Sequence, residues 1–240
     1  MGHSLNSSDN TKAWRRHQLA SDSSGDQPLK VHASLTGGGL YAITDGPRPD
    51  LLDVAAMALA GGARLLQYLD EGTDAPRRHA EAAALLQLCR AHGVPLIIHE
   101  DIPLARSVGA DGVHLSNAAD GLDAARASLG TDAIIGVACR DSLDSARMAA
   151  RAGASYVSFG AFFASPTKPL APRAPLDLLR QSAALGVPRV AIGGITPDNA
   201  RPLVEAGAEF LAAISSVFGA IDARHSAQRF AHLYAQPLRN

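Results

Sequence analysis

The stretch RVAIGGITPDNARPLVEAGAEFLAAIS, residues 189–215, contains the unit from which the fold can be predicted. It starts with the apolar run RVAIG at 189–193 and continues through a polar loop into a helical segment. The glycine of AGA, at 206–208, precedes a second apolar run, FLAAIS, at 210–215. Glycine can adopt the left-handed conformation that stops a helix and turns the chain back. The stretch therefore predicts a strand, a helix and a second strand.

The same unit recurs from Leu40 onward. The other apolar runs are LYAIT (40–44), RLLQYL (64–69), PLIIH (95–99), GVHL (112–115), AIIGVA (133–138) and YVSFG (156–160). Repeated strand-helix units, roughly eight in about 200 residues, predict a single α/β domain, a (β/α)₈ TIM barrel. A doubly wound open sheet is the alternative, and it explains eight similar units less well.

Residues 1–36 differ in composition from the rest of the chain. They are rich in Ser, Asp, Asn and Gln and end in Thr36 followed by three glycines. Such a segment buries too little apolar surface to offset its ordering entropy. We therefore expect a disordered extension over 1–36 and the barrel over 37–240.

Composition and charge exclude several classes of function. The chain is 47% hydrophobic with a formal net charge of −1, and its charges are scattered, so we expect no nucleic-acid or membrane partner. Cys89 and Cys139 suit a reduced protein, and no apolar span is long enough to cross a bilayer. We expect a cytoplasmic protein that acts on small phosphorylated molecules. The sequence leaves the oligomeric state open and is compatible with a homo-oligomer.

Barrel enzymes carry their active sites at the carboxyl ends of the strands, so the residues after each run are the candidates. Gly193 and Gly194 follow the seventh run, where backbone N–H groups can approach an oxyanion, and Thr196–Asp198 predicts a helix start. Ser215 and Ser216 follow the eighth run. Their joint position predicts a phosphate site.

The sixth run leads into FGAFFASPTKP, residues 159–169. Ser165, Thr167 and Lys168 place two hydroxyls and a cation on a proline-stiffened loop. A phosphate or pyrophosphate would find charge and hydrogen-bond donors there.

With these pieces in place the chain resembles the thiamine phosphate synthase family. The supporting motifs are GLYAITD (39–45), GGARLLQY (61–68), CRAHGVPLII (89–98), GADGVHL (109–115), FGAFFASPTKP (159–169), VAIGGITPDNA (190–200) and AISSVF (213–218). The resemblance implies a transferase that joins a hydroxymethylpyrimidine pyrophosphate to a thiazole phosphate and releases pyrophosphate. It also implies a Mg²⁺ ion bound to the leaving pyrophosphate. The same superfamily contains a thiazole tautomerase.

The resemblance assigns part of the site residue by residue. Gln67 matches the family glutamine near the pyrimidine pyrophosphate, and Lys168 with Gln67 would carry the catalytic step. Ser165, Thr167 and Lys168 match the phosphate-binding loop. The thiazole phosphate pocket is matched by Gly194, Ile214 and Ser215.

The remaining family positions are altered. Leu69 and Glu71 replace the two family cations after the second strand, and His99 with Glu100 replaces Asn-Asp after the third. The second metal-binding Asp of the family aligns with Ala119, beside Asp120, and the family serine of the fifth strand aligns with Ala138. Glu100 and Asp120 are the candidate metal ligands.

Three functions stay open on the sequence alone. The first is a synthase with a remodelled leaving-group site. The second is a divergent, tautomerase-like enzyme for another phosphorylated heterocycle, in which His99 is a candidate base. The third is a non-catalytic phosphate-binding protein on the same barrel.

Overall fold

The computed structural model describes residues 32–117, 121–164 and 173–235. Its sheet is a closed barrel of eight parallel strands in sequential order, β1 to β8, in which β8 pairs with β1. The strands are Gly39–Ile43 (β1), Ala63–Tyr68 (β2), Leu96–His99 (β3), Gly112–Leu115 (β4), Ile134–Arg140 (β5), Tyr156–Phe159 (β6), Arg189–Ile192 (β7) and Phe210–Ala213 (β8). The predicted (β/α)₈ barrel is confirmed, because an open sheet would leave β1 and β8 unpaired.

Helices follow the strands around the outside of the barrel. In the described residues they are Leu51–Ala60 (α1), Ala75–His92 (α2), Ile102–Val108 (α3), Leu122–Leu129 (α4), Leu143–Arg151 (α5), Asp177–Gln181 (α6), Arg201–Glu205 (α7), Ser215–Phe218 (α8) and Ala223–Ala235 (α9). The single-turn helix α8 starts at the Ser215–Ser216 pair, one residue after the end of β8. None of these helices has the length and apolar character that crossing a bilayer requires.

Local sequence explains where helices begin and end. Asp74 caps α2 by accepting a hydrogen bond from the backbone N–H of Arg77, and Asp101 caps α3 in the same way from Leu104. Gly93, at φ 65°, and Gly109, at φ 72°, end these two helices in the left-handed conformation. Gly207, the glycine of the predicted stop AGA, has φ 101° just after the end of α7, so that predicted stop is confirmed.

One predicted helix start was wrong. The chain does not enter a helix at Thr196–Asp198, and α7 begins only at Arg201. The side chain of Asn199 accepts a hydrogen bond from the N–H of Thr196, at 2.9 Å, and donates one to the carbonyl of Gly194, also at 2.9 Å. These side-chain bonds hold a turn where the helix was expected.

Two buried layers follow from the alternation of side chains along the strands. Residues of one parity fill the barrel interior, as Tyr41, Leu65, Ile97, Tyr156 and Phe210 do. Residues of the other parity pack against the helices in a larger cluster. The interior is therefore a packed core whose upper surface forms the floor of the mouth.

The barrel begins a few residues before the predicted boundary at Gly37. A single turn at Ala33–Leu35 places the side chain of Leu35 in the interior cluster, where it is 1% exposed. Residues 32–36 thus pack against the barrel because one apolar side chain closes its lower end. The predicted extension over residues 1–31 lies outside the described residues.

Candidate active site

The upper part of the barrel collects polar side chains from three neighbouring strands, β2 to β4, and from β6. Gln67 is on β2, His99 ends β3, His114 is on β4, and Tyr156 begins β6. His99 and His114 are partners in the β3–β4 register, and His114 is level with Gly136 on β5. A methyl carbon on Gly136 would lie 1.9 Å from the ring of Tyr156, so this glycine makes room for the tyrosine.

Five side chains form one chain of hydrogen bonds across the interior. The hydroxyl of Tyr41 donates to Gln67 Oε1 at 2.8 Å, and Gln67 Nε2 lies 3.2 Å from His99 Nδ1. The hydroxyls of Tyr41 and Tyr156 are 2.8 Å apart, and that of Tyr156 is 3.0 Å from His114 Nδ1. Gln67 is buried, and both its amide oxygen and its amide nitrogen take part in this chain. The sequence had assigned a role to Gln67 but none to the tyrosines that hold it.

Burial keeps the members of this chain neutral. Burial lowers the pKa of His114 to about 3, and the neighbouring His99 adds to the shift. Burial also lowers the pKa of His99, which the carboxylates of Glu100 and Glu71 partly oppose. The pKa of Tyr41 is raised well above its ordinary value by burial and by Tyr156. The network therefore consists of neutral donors and acceptors at physiological pH.

The ends of β7 and β8 supply backbone donors. Gly194 has φ 61°, and a methyl carbon there would lie 2.2 Å from the carbonyl oxygen of Ala164, so only glycine fits. The N–H groups of Gly194, Ser215 and Ser216 bond to no acceptor among the described residues. Ser216 Oγ donates to the carbonyl of Ile195 at 2.7 Å, which ties the two strand ends together.

Apolar side chains form the wall between these donors and Gln67. Leu69, Ile192 and Ile214 are partly buried and pack on top of the interior cluster. Ile214 lies directly before α8. The mouth therefore offers an apolar surface for a ring beside donors for an anion.

The loop after β2 is held by an ion pair of its own. The carboxylate of Asp70 is buried and lies 2.6 Å from Arg77, which also contacts Glu81 at 2.7 Å. Burial raises the pKa of Asp70. Hydrogen bonds from Arg77 and from the N–H of Gly72 lower it by more, so the pKa lies below its usual value. Glu71 is exposed. Neither Leu69 nor Glu71 can supply the positive charge found at the family positions.

Glu100 follows His99 at the start of the β3 loop and contacts the backbone of His114. It has φ 59°, its N–H donates to the carbonyl of His114 at 3.0 Å, and its carboxylate accepts the N–H of Ser116. The next carboxylate, Asp101, caps α3 and pairs with Arg78 at 2.9 Å. Within the three described ranges, no group of three His, Cys, Asp or Glu side chains could hold a metal ion.

Arg140 is a mouth residue that the sequence interpretation missed. It ends β5 at a bulge, where Ala138 pairs with Ser158 and Arg140 already pairs with Phe159. Its φ of 53° is unusual for a residue other than glycine, and its side chain is exposed. The side chain has no hydrogen bond or ion pair with the described residues. A charged residue directly after the apolar run was the signal that could have identified it.

Several predicted site residues lie outside the described residues. These are Ser165, Thr167 and Lys168 of the β6 loop, and Ala119 and Asp120 of the β4 loop. Their roles stay predictions. Among the described candidates, Gln67, Gly194, Ile214 and Ser215 all lie at the carboxyl ends of strands, and Ala138 is partly exposed at the end of β5.

A cavity of about 410 Å³ lies at the opposite end of the barrel. Its lining comes from segments that precede strands, such as Thr131–Ala133 before β5 and Gly153–Ser155 before β6. Arg126 in this lining donates to the carbonyls of Gly130, Thr131, Ala133 and Gly153. Its guanidinium is used for these loop contacts, and the cavity is remote from the mouth.

The closed barrel and the donors at its mouth place the chain in the class of (β/α)₈-barrel proteins with a site at the carboxyl ends of the strands. A family model described as thiamine monophosphate synthase matches residues 40–217. The chain belongs to this family.

Its relatives agree with that assignment. A thiamine-phosphate synthase of Chromobacterium violaceum is 52% identical over 195 residues, covering 80% of this chain and 94% of that protein. Another from Thiobacillus denitrificans is 48% identical over 202 residues, covering 82% and 95%. Among solved structures, a thiamine phosphate pyrophosphorylase from Pyrococcus furiosus has a TM-score of 0.73 at 29% identity, covering 84% of this chain and 97% of that one.

Proposed function

We propose that this chain couples a hydroxymethylpyrimidine pyrophosphate to a thiazole phosphate, releases pyrophosphate and forms thiamine phosphate. The observation that carries the proposal is the free donor set of Gly194, Ser215 and Ser216 beside Gln67, in a member of the synthase family. The thiazole phosphate is assigned to these backbone donors. The pyrimidine is assigned to the side of the mouth that contains Gln67.

The reaction implied by the family resemblance needs little acid-base chemistry. The carbon–oxygen bond to pyrophosphate breaks first, the aminopyrimidine stabilises the resulting cation, and the thiazole nitrogen captures it. The apolar wall of Leu69, Ile192 and Ile214 would keep water from that cation. The donors of Gly194 and Ser215 would hold the thiazole phosphate so that its ring nitrogen faces the cation.

The leaving pyrophosphate requires positive charge, and the β2 loop does not supply it. Losing one such donor typically costs on the order of 10² to 10³ in rate, so two lost cations are a severe change without compensation. We assign the compensation to Lys168 and to Arg140, which is exposed at the end of β5. Mg²⁺, with Glu100 and Asp120 as ligands, stays a proposal that rests on the resemblance, and no catalytic step is assigned to it.

The altered β2 loop also favours a second candidate function. With Leu69 apolar and Glu71 acidic, the pyrophosphate side differs more from the family than the thiazole phosphate side does. A divergent enzyme for another phosphorylated heterocycle would need only the retained donors. His99, neutral at the end of β3, would be its candidate for proton transfer.

The experiment is formation of thiamine phosphate from the two substrates with Mg²⁺, using the unmodified protein and a Leu69→Arg, Glu71→Lys variant. The matched control is Met148→Arg, Glu205→Lys, which makes the same change in charge at exposed positions near the ends of α5 and α7. We expect activity in the unmodified protein and a gain only in the first variant. Stabilisation by thiazole phosphate without activity in any protein would favour the divergent enzyme or a phosphate-binding protein.

A further inference from the structure

The single-turn helix α8 is held in place partly by side chains from outside it. Two of its four carbonyls accept hydrogen bonds from the backbone N–H groups that follow the helix. The other two accept from side chains, that of Ser216 from the hydroxyl of Ser226 on α9, and that of Phe218 from the guanidinium of Arg48. A helix of one turn has few hydrogen bonds of its own, so these two side chains help to fix its orientation.

Arg48 reaches α8 from the loop between β1 and α1, 170 positions away in the chain. Its guanidinium pairs with both carboxylate oxygens of Asp50, from Nε at 2.6 Å and from Nη2 at 2.9 Å. Nη1 lies 3.1 Å from the carboxylate of Asp45 and also donates to the carbonyl of Phe218. Pairing through two parallel hydrogen bonds fixes the plane of a guanidinium. The two carboxylates therefore aim Nη1 at the end of α8.

The other end of α8 presents the free N–H groups of Ser215 and Ser216 to the mouth. Backbone donors hold an anion well only when they point together at the position of its oxygens. A rotation of this one-turn helix would misalign both donors at once. A residue that fixes the helix can therefore control the binding of a phosphate without touching it.

We propose that Arg48 is a positioning residue for the thiazole phosphate and acts through α8. The inference rests on the proposed function, because it concerns the alignment of the phosphate donors of that same site. The side chain of Arg48 is 24% exposed and that of Asp50 is 49% exposed, and ion pairs at such positions contribute little to stability. The loss of Arg48 should therefore affect binding more than folding.

The test is calorimetric binding of hydroxyethylthiazole phosphate, and of hydroxyethylthiazole itself, to the unmodified protein and to Arg48→Met. Methionine removes the charge and every hydrogen-bond donor of the side chain. We expect the phosphate to bind about tenfold more weakly to the variant, with the affinity for the alcohol and the melting temperature nearly unchanged. The matched control is Arg147→Met, which removes an exposed ion pair with Asp144 and should alter neither affinity.

A second variant, Asp50→Asn, weakens the pairing that aims Arg48 without changing any atom bonded to α8. Asp50 makes no capping hydrogen bond to α1, so this substitution leaves that helix start intact. The phosphate should bind more weakly, by a smaller factor than in Arg48→Met. In the double variant the two losses should not add, because both act through one contact.

Three results would overturn the proposal. The first is an Arg48→Met protein that binds the phosphate as tightly as the unmodified protein. The second is an equal loss of affinity for the phosphate and the alcohol, since Arg48 would then act on the fold as a whole. The third is additive losses in the double variant.

The assay for thiamine phosphate is run on the same preparations so that the two proposals can fail separately. Binding of the phosphate that depends on Arg48, without thiamine phosphate formation, would reject the synthase reaction and retain the positioning role. Thiamine phosphate formation with the same KM for thiazole phosphate in Arg48→Met would retain the reaction and reject the role. An unmodified protein that does not bind the phosphate would reject both.

Discussion

The two halves of the barrel mouth are built from different parts of the chain. The half formed by β7 and β8 presents backbone N–H groups, held by Gly194 and by the bond from Ser216 to Ile195. The half formed by β2 to β5 presents side chains, among them Gln67 and His99. A backbone site survives most side-chain changes as long as its glycine remains. A site built from side chains can change its charge and its hydrogen bonding through a single substitution. In this chain, the positions at the mouth that differ from the family lie in the half formed by β2 to β5.

The largest expected effect comes from Gly194→Ala, which tests whether the β7–β8 half depends on its backbone. A methyl carbon would lie 2.2 Å from the carbonyl oxygen of Ala164, and the residue has φ 61°. We expect thiazole phosphate to bind at least about tenfold more weakly, because a loop shift misplaces several donors together.

The matched control is Gly93→Ala, at φ 65° with no atom within 4 Å of the added carbon. This substitution should lower the free energy of unfolding by about 1–2 kcal/mol, which is the strain of a residue other than glycine in the left-handed conformation. The affinity for thiazole phosphate should stay unchanged. Calorimetry and thermal melting measure both variants. Equal loss of affinity in the two would show that the steric contact at Gly194 has no special role.

Gln67→Leu tests the side-chain half with the next largest effect. It leaves the hydroxyl of Tyr41 and Nδ1 of His99 without their present partners, and unpaired buried groups cost about 1–3 kcal/mol each. We expect a lower melting temperature and a fall of about 10² in kcat/KM for the pyrimidine pyrophosphate. Gln181→Leu, at an exposed residue of α6, is the control and should change neither value. A variant with full activity would remove Gln67 from the site.

Arg140→Ala asks whether the side-chain half has regained a cation. If Arg140 contacts the leaving pyrophosphate, KM for the pyrimidine pyrophosphate should rise by about tenfold while KM for thiazole phosphate stays constant. Arg140→Lys should recover part of the loss. Arg147→Ala, an exposed arginine of α5 that pairs with Asp144, is the control. Equal increases in both KM values would mean that Arg140 acts on the fold rather than on one substrate.

The smallest effect concerns the pH dependence of the β2 loop. The pKa of Asp70 in the folded protein lies below its ordinary value of 3.8, so its contribution to stability is present above that pH. The contribution is lost as the pH falls through the folded-state pKa. We expect Asp70→Asn to lower the melting temperature at pH 7 and to flatten its decline below about pH 4.

Asp144→Asn, at an exposed carboxylate, is the control for this comparison. Melting curves between pH 7 and 3 measure all three proteins. An Asp70→Asn curve parallel to that of the unmodified protein would show that the buried ion pair with Arg77 does not couple folding to pH.

The sequence indicated where several candidate site residues lie in the fold, but not which side chains they contact. Gln67, Gly194 and Ser215 lie at strand ends, as predicted, because an apolar run that stops abruptly marks the end of a strand. The charge of Arg140 directly after the apolar run marks the end of β5, but the bulge there has no sequence signal and is seen only in the pairing of β5 with β6. The turn at Asn199 was missed because a side-chain bond replaced a helix start that Pro197 had indicated.

The sequence by itself determined the barrel. Apolar runs and glycine stops are short-range sequence patterns. They predict which segments are buried and where each helix ends. The tertiary structure alone decided which side chains meet. Tyr41 and Tyr156 are 115 positions apart, and Gln67 and His99 are 32 apart, yet their atoms are joined in one hydrogen-bond chain. Closure of the barrel brings them together, because side chains of β1 and β6 meet in its interior. A local sequence pattern carries no information about contacts between residues so far apart in the chain.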